Sequence, residues 1–337
     1  MMRRPITAIS LALLTSSSLA LPAAAKATYT TFAPANSQYA YPVSIDDGAV
    51  AGYFQDTDAK IHGFVRTADG TITTFDPTGS DGTYVTGMNE AGTITGYYDD
   101  ANYEGHGFER AADGTITTVA PADAAASYAW SVNKKGLIAG YYKNESSVWQ
   151  GFVMTTGGQF TTFAPTGSTY VNCYSINDKG AVTGYYDDSG GEAHGYVRAS
   201  DGTITAFDPT GSIFTAPNSI NDAGAITGYY VDGGGLIHGF VRAATGTITS
   251  FDPKGSTGTY GVSIARNGEI AGYYINSSYQ AYGFVRSAGG KIKSFDVPNS
   301  LGTYGQAVDS SHGDLGAVAG FYDVNSDTAD GFIRTGK

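Results

Sequence analysis

SINDAGAITGYYVDGGGLIHGFVRAATGTITSFDPKGS, residues 219–256, decides the fold because the chain contains it again: residues 175–212 read SINDKGAVTGYYDDSGGEAHGYVRASDGTITAFDPTGS. Weaker copies start at Ser44 and Ser263. The glycine of the Gly-aromatic-aromatic motif falls at Gly52, Gly96, Gly140, Gly184, Gly228, Gly272 and Gly320, so seven copies follow one another at 44 residues, with a last step of 48. Self-similarity at such a period marks a repeat architecture and outranks any local reading.

Each copy reads as four short strands: Tyr-Ser-Ile-Asn, A-I-T-G-Y-Y after a tight N-D-x-G turn, H-G-F-V-R after a polar loop, and T-I-T-x-F-D-P after an A-D-G-type turn. No helical period follows the N-terminal segment. Four antiparallel strands in this length make one propeller blade, so the predicted fold is an all-β, seven-bladed β-propeller. The ends point to closure. The last copy stops after Gly331-Phe332-Ile333-Arg334, whereas Thr28-Tyr29-Thr30-Thr31-Phe32-Ala33-Pro34 is the missing fourth strand without its own copy. The N-terminal strand is expected to complete the last blade and remove two exposed edges. A simple hairpin between the second and third strands sets Gly184 opposite Tyr196 and Tyr185 opposite Gly195. Each glycine would then lie beneath a cross-strand aromatic ring.

The run S-I-N-D-A-G-A-I-T-G-Y-Y followed by H-G-F-V-R resembles the bacterial extracellular HAF repeat, which pairs an I-N-x-x-G turn with a His-Ala-Phe strand. Here Gly replaces the Ala, and Arg stands where that family often has Trp. The resemblance covers essentially the whole of residues 26–337. It implies a secreted repeat protein and brings no catalytic residues.

Residues 1–25 have the layout of a cleaved secretory signal: Arg3 and Arg4, an apolar stretch from Ile6 to Leu14, and small residues up to Ala25. The apolar stretch is too short to span a bilayer, and no later segment reaches the roughly 20 apolar residues needed. Pro5, Ile6 and Thr7 do not fit the twin-arginine pattern. Residues 26–337 are then a single exported domain, secreted or periplasmic and monomeric. Cleavage leaves 17 basic against 31 acidic residues, a net charge of −14. That charge repels phosphate backbones, so nucleic acid is excluded as a partner. The single cysteine, Cys173, excludes an internal disulfide and reads as a packed residue without an activated thiolate.

Long loops on a rigid scaffold are where sites are built, so the face carrying the loops between the second and third strands and the long polar F-D-P-T-G-S-x-x-T-Y connections is the functional candidate. It repeats a pair eight residues apart: Phe54 and His62, Tyr98 and His106, Tyr142 and Gln150, Tyr186 and His194, Tyr230 and His238, Tyr274 and Tyr282, Tyr322 and Asp330. Tyr230 with His238, or Tyr186 with His194, could act as acid and base in a polysaccharide lyase. Repetition favours a packing device, because catalysis needs one copy. Positions that break the repeat carry more weight. Trp130 and Trp149, both in the third copy, stand with Tyr128, Lys143, Glu145 and Gln150, a set able to stack on a pyranose and meet its hydroxyls. The acidic pairs Asp99 with Asp100 and Asp187 with Asp188 could hold Ca²⁺; no other cofactor is implied. The F-D-P aspartates Asp76, Asp208, Asp252 and Asp296 read as turn caps. Ser311, His312 and Asp314 read as a loop, and Arg266 and Glu269 interrupt the turn pattern on the opposite face. The function expected is non-enzymatic recognition of carbohydrate or another extracellular ligand, with a polysaccharide lyase as the alternative.

Overall fold

The computed structural model describes residues 27–309 and 316–336; the secretory signal expected at 1–25 and the residues Ser311, His312 and Asp314 lie outside the described residues. Among the described residues every helix or strand assigned is a β-strand. The copy quoted above folds as Ser212–Ile220, Ile226–Asp232, Ile237–Arg242 and Ile248–Phe251, an antiparallel four-stranded unit. Its turns follow from residue chemistry. In N-D-A-G the Asn221 Oδ1 accepts from the Ala223 and Ala225 amides, and Gly224 takes the left-handed φ of +81° that closes the hairpin.

The connection after F-D-P is not a long polar loop. The Ser212 amide donates to the Pro209 carbonyl, and the chain at once re-enters the sheet, pairing Ser212 with Asp232. A Pro-led turn with a glycine at φ +82° reverses direction so tightly that the rest of the connection is free to pair. The fourth copy differs, its inner strand being split into Tyr170–Val171 and Ser175–Ile176.

The second and third strands take the expected register, Gly184 opposite Tyr196 and Tyr185 opposite Gly195. The rings over the glycines are only partly those expected. Gly228 does lie under Phe240 of the facing strand, but Gly239 lies under Phe251 of the outer strand, whose ring would stand 2.6 Å from an added Cβ. Side chains on a strand lean along it, so the ring that covers a glycine comes from whichever neighbour leans over it.

The strands fall into sheets of 12, 4 and 13 strands, and none closes on itself through hydrogen bonds. Neighbouring units touch through single parallel bridges such as Ile237 with Gly258, and through side chains. Phe64, Phe108, Phe152, Phe240, Phe284 and Phe332 are fully buried, and an arginine from one unit lies over the outer-strand phenylalanine of the unit before it, as Arg242 does over Phe207 at 4.7 Å. The strand Thr28–Phe32 pairs with Thr328–Thr335 along its whole length, and Arg66 lies over Phe32 at 5.1 Å. First and last units therefore meet through the contacts found at the other junctions.

Candidate functional site

The site is built by a defect that recurs in the inner strands. A β-bulge adds one residue between Pro42 and Ser44, Val85 and Gly87, Ala129 and Ser131, Pro217 and Ser219, Gly261 and Ser263, and Gly305 and Ala307. A bulge re-aims the extra side chain away from the pleat. The extra residues, Val43, Thr86, Trp130, Asn218, Val262 and Gln306, all line one cavity of about 560 Å³ on the central axis, and Tyr174, in the gap of the split strand, joins them. This position changes from copy to copy, while the residue after it is serine in five of the seven.

Around the cavity runs a belt of rings, two from each unit. Within a unit they pack face to face or tilted, as Tyr84 does with Tyr97 at 4.8 Å; between units they meet edge-on, as Tyr97 does with Tyr128 at 5.0 Å, except for the tilted pair Tyr185 and Phe214. The contacts continue through Tyr141, Tyr170, Tyr185, Phe214, Tyr229, Tyr260, Tyr273, Tyr304 and Phe321, which meets Tyr41 of the first unit at 5.1 Å. Burial pushes the Tyr53 hydroxyl up to about 12 and raises those of Tyr97, Tyr141, Tyr174 and Tyr273 further. They are neutral at physiological pH and can donate hydrogen bonds.

Trp130 packs on Tyr174 with ring centroids 5.2 Å apart, and on Tyr141 at 5.8 Å. It sits inside the strand Ala124–Val132 and opens onto the axis. Trp149 starts the strand Trp149–Met154 and packs on Tyr170, Tyr141 and Tyr128. The two tryptophans are thus brought together through Tyr141. Lys143 pairs across the strands with Trp149, and Glu145 is exposed in the adjoining turn. Gln150 stands apart, accepting a hydrogen bond from the Tyr142 hydroxyl at 2.7 Å.

Below the cavity, Ile45, Met88, Val132 and Val308 line both it and a second, smaller space on the turn face. There the asparagines form a ladder: Asn89 Nδ2 donates to the Asn133 carbonyl, Asn133 to Asn177, Asn177 to Asn221 and Asn221 to Ala265. Arg266 reaches from the sixth copy to Glu90 of the second, Asp178 of the fourth and Asp222 of the fifth, so its guanidinium lies across the axis. Glu269 accepts from the Gly316 amide. Sequence reasoning gave neither residue a role, since their partners lie in other copies.

The Tyr and His pairs lie ring against ring, Tyr230 stacked on His238 at 5.1 Å and Tyr186 tilted against His194 at 5.3 Å. Each histidine is gripped by two carboxylates: His238 Nδ1 by Asp252 at 2.7 Å and Nε2 by Asp232 at 3.4 Å, with His194 held likewise by Asp208 and Asp188. The Tyr230 hydroxyl is hydrogen-bonded to Ser250, and burial raises Tyr186. Asp76, Asp208 and Asp252 therefore clamp histidines, and Asp208 also accepts from the Thr215 hydroxyl at 2.6 Å; Asp296, whose copy has Tyr282 in place of a histidine, accepts from the Ser300 and Thr303 hydroxyls of its turn. Asp99 and Asp187 lie within strands, while Asp100 and Asp188 each cap a loop with Oδ1. The acidic group that does converge is Asp188 with Glu192 and His194, ligand atoms within 4.8 Å of one another. Cys173 is fully buried against the Tyr196 hydroxyl, and burial pushes its thiol up to about 12.

No protein-family model matches the sequence, and no curated protein matches it. Solved structures do resemble it. The β-propeller domain of the Trilobed protease from Pyrococcus furiosus, which has an open velcro topology, gives a TM-score of 0.63 at 10% identity over 89% of this chain and 97% of that one. The BP39L lectin from Burkholderia pseudomallei gives 0.57 at 9% identity, over 89% and 96%. A puromycin hydrolase gives 0.57 at 12% identity, and there the likeness spans only 52% of the longer chain. The chain has a β-propeller fold.

Proposed function

We propose that this is a secreted, non-enzymatic carbohydrate-binding protein. In this reading residues 1–25 direct export, and residues 26–337 form one monomeric ring of seven blades, closed by the N-terminal strand and related to the HAF repeats. The observation that carries it is the bulge-built axial cavity. Trp130 and Tyr174 offer adjacent faces for the apolar side of a pyranose, while Asn218, Gln306 and the neutral tyrosine hydroxyls offer donors and acceptors for its hydroxyl groups. Trp149 and Tyr128 extend the aromatic surface outward, with Lys143 and Glu145 at its edge. That a lectin shares the fold is consistent with this use.

A glycan array tests it. The wild type is expected to bind; Trp130→Ala is expected to weaken binding by about 1.4–2.8 kcal/mol, ten- to a hundredfold, and Trp149→Ala by less. A wild type that binds nothing across broad neutral and acidic glycans would sink the proposal.

A further inference from the structure

The hairpin loops between second and third strands share one frame. Asp56, Asp100, Asn144, Asp188, Asp232 and Asn276 each accept, through Oδ1, the amide four residues on. The frame puts the residue three beyond the cap in the left-handed region: Ala59, Tyr103, Ser147, Gly191, Gly235 and Tyr279, with φ between 60° and 82°. Gly191 and Gly235 hold that conformation without strain; a bulky side chain does not.

Yet Tyr103 is 80% exposed and Tyr279 is 92% exposed. Neither ring stacks on another among the described residues. Packing therefore does not explain why tyrosine stands where sister copies use Gly, Ala or Ser, and strain kept at such a position points to use. Each ring is flanked by polar residues, Asn102 and Glu104 in one loop, Ser278 and Gln280 in the other. A lone ring among polar groups is far too small for a protein interface, which needs about 800 Å² per partner. It suits one sugar unit, whose apolar face it can cover.

The loops project from the end of the strands at which the aromatic belt lies, since Tyr84 pairs with Tyr97 and the next pairs, Thr83 with Tyr98 and Gly82 with Asp99, lead straight to the Asp100 loop. Tyr103 and Tyr279 belong to the second and sixth copies, on nearly opposite sides of a seven-membered ring. Resting on the carbohydrate reading above, we infer that Tyr103 and Tyr279 are outlying platforms for a polymeric glycan that crosses the mouth of the axial cavity. Asp100 and Glu104 beside Tyr103 favour a neutral polymer.

The experiment compares Tyr103→Gly, Tyr279→Gly and the double variant with the wild type. It measures affinity for soluble neutral polysaccharides (glucan, mannan and xylan), for their di- and trisaccharides, and the melting temperature. Glycine fits the left-handed frame, so the melting temperature is expected to hold or rise. Affinity for the preferred polymer is expected to fall about tenfold per ring, with short oligosaccharides, held at Trp130 and Tyr174, unaffected. Unchanged polymer affinity in the double variant overturns the inference and leaves the axial site standing. Parallel loss for short oligosaccharides also overturns it, by making the tyrosines the primary site. A wild type that binds no glycan removes both readings.

Discussion

At the scale of single residues, the doubly clamped histidines give the molecule a pH signature. The hydrogen bond that His194 donates to Asp208, against a smaller burial penalty, raises the pKa of His194; for His238 burial opposes the charge but Asp252 and Asp232 outweigh it. Raised histidines stabilise the fold fully below their unfolded value near 6.5, and that contribution is lost as pH rises through the folded value. Backbone amides, Glu192 on Asp188 and Leu236 on Asp232, lower those carboxyls, a contribution present above their ordinary value and lost as pH falls through the lowered one. Both are present between about pH 4 and 6.5. We expect the wild-type melting temperature to fall as pH rises past that window. Replacing His194 and His238 together by Gln, the residue the third copy carries as Gln150, should flatten the fall; an unchanged slope would refute the clamp. Partly buried carboxyls with raised pKa that do not face these histidines, such as Asp323, titrate in both proteins and leave the comparison intact. The clamps themselves were not legible in the sequence. The spacing of His238 and Asp252 is plain, but which carboxylate faces which nitrogen depends on how three strands lean.

Among elements, the four-strand unit and its hairpin register were legible because glycine, aromatic and turn residues recur at fixed offsets. The bulge was not: it is a single extra residue in a strand, and no residue type announces it. Trp130 could be noticed as an exception to the repeat, yet only the bulge shows that it faces the axis. The asparagine ladder was hidden for a similar reason. In sequence each N-D-x-G is a local turn, and Asn177 Oδ1 does accept from Lys179 and Ala181, but its Nδ2 secures the next unit. Asn177→Ala strands buried groups at both places and should cost about 2–4 kcal/mol by denaturant titration. A loss below half a kcal/mol would mean that water replaces the side chain without penalty. The ladder stops at Ala265, where no amide side chain is available and Glu269 ties down the following unit instead.

For the molecule as a whole, the two ends of the chain carry the argument. The pairing of Thr28–Phe32 with Thr328–Thr335 follows the register that the truncated last copy implied. Deleting residues 27–33 removes Phe32 from beneath Arg66, uncovers Gly331 and bares the edge of Thr328–Thr335. Such an edge recruits other chains. The shortened protein should melt lower and elute partly as larger species than the wild type in size-exclusion chromatography, and a synthetic peptide of residues 27–34 should restore the wild-type elution. Normal melting and elution without the strand would show that the ends need no clasp. Arg266 could not be foreseen at this scale, because its partners, up to 176 residues away, share a neighbourhood only once the units encircle an axis.

The belt of rings has an optical consequence. Its members stand 4.5 to 6.3 Å from their neighbours, well within the range over which an excited tyrosine passes its energy to another and finally to tryptophan. Light absorbed by tyrosines around the belt is therefore funnelled to Trp130 and Trp149, and the protein's emission comes from the one sector that faces the axial cavity and its rim. A ligand settling on Trp130 would dim or shift the light gathered by the entire ring, so the molecule carries its own reporter at the place where binding is proposed.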